Sequence, residues 1–121
     1  MSQFNTSGTK GYVATAAVGE GIIVKLSSGQ AVVATAATDK FIGVTMNKAA
    51  AGETASIRLR SSQGTIKVKA GGTIAVGDKL TTNGSGQAIA TVTAGNEILG
   101  MALEAGASGD MVEVMQMNDR V

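Results

Sequence analysis

The chain has 121 residues and a formal net charge of +1, with ten Lys and Arg against nine Asp and Glu, and it contains neither Cys nor His. That composition excludes disulfides, thiolate metal sites and cysteine or histidine catalysis, and a charge so near zero leaves no basic footprint for a phosphate backbone. Hydrophobic residues make up 44% of the chain but include only two Phe, one Tyr and no Trp, so the core must be built from Val, Ile, Leu and Met, each contributing about 1.5–3 kcal/mol when fully buried.

Residues 1–11 are polar, rich in Gly, Ser and Thr, and carry no sustained period. They read as a flexible N-terminal arm holding Phe4, with Tyr12 where it ends. No basic segment followed by an apolar run opens the chain, and no window reaches about 18 apolar residues, so neither a secretion signal nor a membrane span is expected. Residues 12–121 suit one β domain. Its core is thin for that length, and self-association or docking on a larger assembly is expected to supply part of the stability.

Beyond the arm the pattern is strand and turn. Ile22–Leu26, Ala31–Thr35, Phe41–Thr45, Ala55–Arg60 and Thr65–Lys69 are short, mostly β-branched, and bounded by Gly, Ser, Asn or Asp. In Ser56–Arg60 and Thr65–Lys69 apolar and polar residues alternate, as in half-buried antiparallel strands. Lys79–Thr82, Gln87–Val92, Ile98–Leu103 and Met111–Met115 continue the series. Asn83-Gly84 favours a tight hairpin turn. Met46–Ala51 before Gly52, and Leu103–Ala105 before Gly106, could each form a single helical turn.

One motif train runs twice. Val18-Gly19-Glu20, Ser28-Gly29-Gln30-Ala31, Ile42-Gly43-Val44 and Gly52-Glu53 are matched by Val76-Gly77-Asp78, Ser85-Gly86-Gln87-Ala88, Leu99-Gly100-Met101 and Gly109-Asp110. Gly29, Gly43 and Gly52 each precede their counterparts by 57 residues, while Gly19 precedes Gly77 by 58. On that alignment the second copy is one residue shorter before the Ser-Gly-Gln-Ala turn. The expected architecture is therefore all-β, a compact barrel or sandwich with an internal two-fold repeat, the copies spanning about 18–60 and 76–117. Gly43 and Gly100 interrupt apolar strands, which points to a bulge, a sharp bend or close approach of another backbone.

Reaction chemistry finds little support. Ser7-Gly8-Thr9-Lys10 has the Ser-x-x-Lys spacing of some acylating enzymes but lies in the arm, without the buried setting that depresses a Lys pKa. The carboxylates are spread singly, many in turns beside Gly, and form no calcium loop. Gly71-Gly72-Thr73 and Gly84-Ser85-Gly86 lack the Lys-Ser/Thr and helix of a phosphate cradle. Met115-Gln116-Met117 invites comparison with the Met-Lys-Met hairpin of biotin carriers, but Gln116 has no amine to modify. Met101, Met111 and Met115 read as adaptable packing at a core or interface. No catalytic, cofactor or metal residue is assigned, and neither nucleic acid nor membrane is expected as a direct partner.

The ordered elements of the second copy, Ala75-Val76-Gly77-Asp78-Lys79-Leu80, Gly86-Gln87-Ala88, Ile98-Leu99-Gly100-Met101-Ala102-Leu103-Glu104 and Gly109-Asp110-Met111-Val112-Glu113-Val114, resemble the capsid decoration, or cement, proteins of tailed bacteriophages. The likeness covers roughly residues 13–117. It implies a non-enzymatic virion protein, made in the host cytoplasm, that binds the exterior of the phage head and staples neighbouring major capsid protein subunits, often as a trimer. Family arms often contact the capsid lattice, so Phe4, Asn5, Thr9 and Tyr12 become candidate capsid-binding residues. Two other readings stay open on the residues alone. One is a carbohydrate-binding or adhesin module of a fibre, for which Tyr12 alone offers a stacking surface; the other is a subunit of a tail or baseplate.

Overall fold

A computed structural model describes residues 9–36, 40–59, 65–92 and 96–120. Ten strands form, and no helix is present among the described residues: β1 (Thr9–Val13), β2 (Ile23–Ser27), β3 (Gln30–Val33), β4 (Phe41–Thr45), β5 (Thr54–Leu59), β6 (Thr65–Lys69), β7 (Lys79–Thr82), β8 (Ala88–Ala90), β9 (Glu97–Ala102) and β10 (Met111–Arg120). They pair into two five-stranded antiparallel sheets with orders β1-β5-β4-β2-β3 and β6-β10-β9-β7-β8. Adding five to each strand number converts the first order into the second, so the duplication in the sequence is a duplication of topology.

In each sheet the two edge strands approach one another at a single parallel bridge, Ala14 to Ala31 in the first and Ala70 to Ala88 in the second. Neither sheet closes into a barrel, and the architecture is that of a sandwich. The copies extend further than the motif train suggested. The first sheet opens with β1 and the second with β6, so the boundary expected for the arm at residue 11 falls inside a strand. β6 is legible because Ile66 and Val68 alternate with charged residues; its counterpart β1, Thr9-Lys10-Gly11-Tyr12-Val13, has no such alternation.

The internal register also differs from the one the motifs suggest. Gly21 N donates to Thr45 O and Thr45 N to Ile22 O, just as Gly77 N donates to Ala102 O and Ala102 N to Asp78 O. Gly21, not Gly19, is therefore the counterpart of Gly77, and both have positive φ (75° and 89°). The spacing between copies is 56 residues up to β2 and β7 and 57 after the hairpin, so the second copy is the longer by one residue at that turn. In the first copy Ser28 and Gly29, both at positive φ, close a two-residue turn between Ser27 and Gln30. In the second, Asn83-Gly84 does not form the tight turn its sequence favours. Asn83 Oδ1 instead accepts from Ser85 N (2.8 Å) and Gln87 N (3.0 Å), which organises the longer loop.

The two expected helical turns are absent. Val18 and Ala49 exchange backbone hydrogen bonds (2.8 and 3.0 Å), and Ile74 and Gly106 do the same, so these backbone groups are committed to an isolated bridge rather than to a helix. Gly43 and Gly100 resolve in favour of close backbone approach: a Cβ on Gly43 would collide with the carbonyl of Arg58, and one on Gly100 with that of Met115. A register shift follows Val24 in the β2–β4 pair, beside Gly43.

Each copy has a core of its own, and the first lends residues to the second. Ala14, Val18, Val24, Ala31, Ala55 and Ile57 pack together within the first copy, with Tyr12 against them. Val68, Ile74, Leu80, Leu99, Val112 and Val114 do so within the second, but that cluster also takes in Ile23, Ala34, Phe41 and Val44 from the first. Val24 thus faces one core and its neighbour Ile23 the other, as alternate strand residues must. This two-sided burial accounts for the unbroken apolar run Ile22-Ile23-Val24.

Candidate functional site

The strands that meet where the two copies adjoin frame a cleft of about 570 Å³. Glu20, Thr45, Met46 and Arg58 line it from the first copy, and Thr65, Ile66, Lys67, Met111 and Glu113 from the second. Its walls are mixed. Met46 and Met111 are partly exposed, supplying soft apolar surface that accommodates varied shapes. The polar wall is tied down: Thr65 Oγ1 donates to Glu113 Oε2 (3.0 Å), and Glu104 Oε1 accepts from Glu113 N (3.0 Å) and Lys67 Nζ (3.3 Å). These two donors hold the Glu104 carboxyl below its ordinary value, the backbone N–H more than the ammonium.

Thr45 anchors the floor. Its hydroxyl donates to Gly19 O (2.7 Å) and accepts from Ile22 N (3.0 Å), fixing the loop into β2. The second copy has Ala102 in that position, and Asp78 takes over the task by accepting from Ala75 N (2.9 Å). Among the described residues no group of three or more acidic side chains could hold a metal ion. Met115-Gln116-Met117 lies within β10, not at a hairpin turn.

The four residues singled out from the sequence are separated by the structure. Phe4 and Asn5 lie outside the described residues. Thr9 opens β1 opposite Arg58, one of the cleft-lining residues, so the chain enters the sheet beside the cleft. Tyr12 pairs with Ala55 and packs, half-buried, against the first core. The cleft residues Met46, Arg58 and Met111 were not legible as a group, because only the docking of one copy on the other brings them together. The one signal is Met111, which with Met101 and Met115 reads as adaptable packing at a core or interface.

This duplicated β body matches the family model described as phage cement protein over residues 6–116. The chain belongs to the phage cement protein family. Comparison with curated proteins finds no match. Among solved structures, the N base of head fiber gp8.5 of bacteriophage phi29 is similar, with a TM-score of 0.76 at 22% identity over 93% of this chain and 96% of that one. That likeness is one of fold. Membership in the cement family makes the chain a structural phage protein.

Proposed function

We propose that this cement-family chain binds the outer surface of the phage head and stabilises the capsid lattice, acting by binding and not by catalysis. Its partner is the major capsid protein, and it works as a homo-oligomer, with three chains favoured by the family resemblance. The family match over residues 6–116 carries this reading. The likeness to a head-fiber base supports the head as the place of attachment.

The mechanism is multivalent. A protein that binds the assembled lattice and not the free subunits shifts the assembly equilibrium by mass action, and many individually weak contacts sum over the shell. Phe4, Asn5 and Thr9, with the segment before β1, supply one set of contacts to the capsid. Tyr12 acts indirectly, by seating β1 on the first core. The two cores packed on either side of β2 give a firm base for that segment.

Expanded heads prepared with and without the protein test the reading. Saturable binding and retention of DNA to a higher temperature by decorated heads is the expected result. Equal DNA release from decorated and bare heads would refute the stabilising role.

A further inference from the structure

The two copies are joined through unlike faces. The first copy contributes the turn into β2 (Gly21, Ile22, Ile23) and the end of β3 (Val33, Ala34). The second contributes Lys69, Gly86 and Met111. Ile23 N donates to Gly86 O (2.7 Å) and Lys69 N to Gly21 O (2.8 Å). The fit is close: a Cβ on Gly86 would come within 2.8 Å of Ile22 and Val33, and one on Gly21 would press on Met111.

A junction obeying two-fold symmetry would repeat these contacts with the roles exchanged, Lys79 to Gly29 and Val13 to Gly77. Among the described residues neither bond forms, and nothing lies within 4 Å of the Cβ position of either Gly29 or Gly77. The junction is heterologous, so each of its faces recurs once more on the outside of the molecule. The second copy's version of the β2 face is a groove of about 470 Å³ formed by Gly77–Lys79 and Ala90–Val92. Beside it Val76 is 67% and Val92 94% exposed. The first copy's version of the receiving face is Val13, 40% exposed, with the open Gly29 and the exposed Thr54 in the place of Met111.

We propose that these two outward faces bind one another between molecules, a second copy of this chain seating Val13, Gly29 and Thr54 in the Gly77–Lys79/Ala90–Val92 groove. The intermolecular contact repeats the internal one, with Lys79 N donating to Gly29 O and Val13 N to Gly77 O of the neighbour. Where the internal junction buries Ile22, Ile23 and Ala34, the groove carries Asp78, Lys79 and Thr91, so the contact between molecules is the weaker and reversible one. Head-to-tail contacts of this kind close into a ring when the rotation permits. The duplicated junction implies this contact whether or not the chain binds a capsid.

Sedimentation velocity of the full chain from micromolar to millimolar concentration tests it. The wild type is expected to associate as concentration rises. Val92→Glu, which blocks the groove, and Val13→Glu, which blocks the opposite face, are each expected to remain monomeric with melting curves like the wild type. Mixed together they are expected to form a one-to-one dimer and nothing larger, since each retains the face the other has lost. Thr54→Lys, at an exposed position of the same face, replaces Val13→Glu if that variant melts early. A wild type that stays monomeric, blocked variants that associate as it does, or folded variants that fail to pair would each overturn the proposal.

Discussion

The backbone N–H of Ile23 donates to the carbonyl of Gly86 at 2.7 Å, a bond that crosses from one repeat to the other. Ile23 is fully buried, and its side chain completes the second repeat's core. The same residue therefore supplies a ladder position in its own sheet and an apolar contact in its neighbour's. Gly86 can accept this approach because it has no Cβ to strike Ile22 or Val33.

Gly86→Ala and Gly29→Ala form a matched pair, since each glycine directly precedes the Gln-Ala that follows its hairpin turn, at φ of 74° and 77°. Each substitution incurs the left-handed backbone cost of about 1–2 kcal/mol. Only Gly86→Ala also overpacks the junction, adding about 1–3 kcal/mol. Urea unfolding of the two variants is expected to show the larger loss for Gly86→Ala, and equal losses would mean the junction yields freely.

Gly43→Ala and Gly100→Ala are expected to be among the most damaging single-methyl additions, because the new Cβ would meet a strand carbonyl and not a flexible side chain. About 3 kcal/mol or more is expected for each, at or above the upper end for overpacking. Denaturant midpoints measure it.

Thr45→Val keeps the shape of a 1%-exposed side chain while removing its hydroxyl. Gly19 O and Ile22 N then lose their shared partner, at about 1–3 kcal/mol for each group left dry. The expected result is a loss of about 2 kcal/mol or more in urea unfolding. Ala102→Thr, at the equivalent site of the second copy, gains no matching stability, because Asp78 already holds the Ala75 loop there.

Glu104 ties stability to acid. Its carboxyl is held below the usual value, first by Glu113 N–H and then by Lys67. A carboxyl with a depressed folded-state pKa contributes stability that is present above its unfolded value and is lost as pH falls through the folded one. The wild type is expected to lose a small increment of stability on acidification that Glu104→Gln does not. The side chains of the Lys67–Glu104 pair are 55% and 42% exposed, so the increment is modest and shrinks with salt. Parallel melting curves for the two proteins down to low pH would contradict the linkage.

Truncation separates the candidate binding segment from the fold. Removing residues 1–8 leaves β1 whole, and capsid binding is expected to weaken by about tenfold or more, equivalent to about 1.4 kcal/mol, with the melting temperature unchanged. Removing residues 1–11 also cuts three residues from β1, which pairs along β5 from Thr9–Arg58 to Val13–Thr54, and is expected to lower the melting temperature as well. Unchanged binding by the shorter truncation would move the capsid contact elsewhere on the body.

The β class, the duplication and nine of the ten strands are legible in the sequence. Those features are written in local chemistry: β-branched runs, period-two alternation as in Thr65–Lys69, and glycines at turns, each read within a few residues. β1 escaped because Thr9-Lys10-Gly11-Tyr12-Val13 has no alternation, and only its pairing with β5 makes it a strand. The two-residue slip between Gly19 and Gly21 arose because Val-Gly-acid recurs as letters, whereas positive φ and the bonds to Thr45 and Ala102 fix the true equivalence. That the copies dock through unlike faces is visible only in the folded molecule. Ile23 and Lys79 hold equivalent positions, yet one is buried and the other exposed, because the second copy's core packs on Ile23; the apolar side chain at 23 and the charged one at 79 suit those two surroundings.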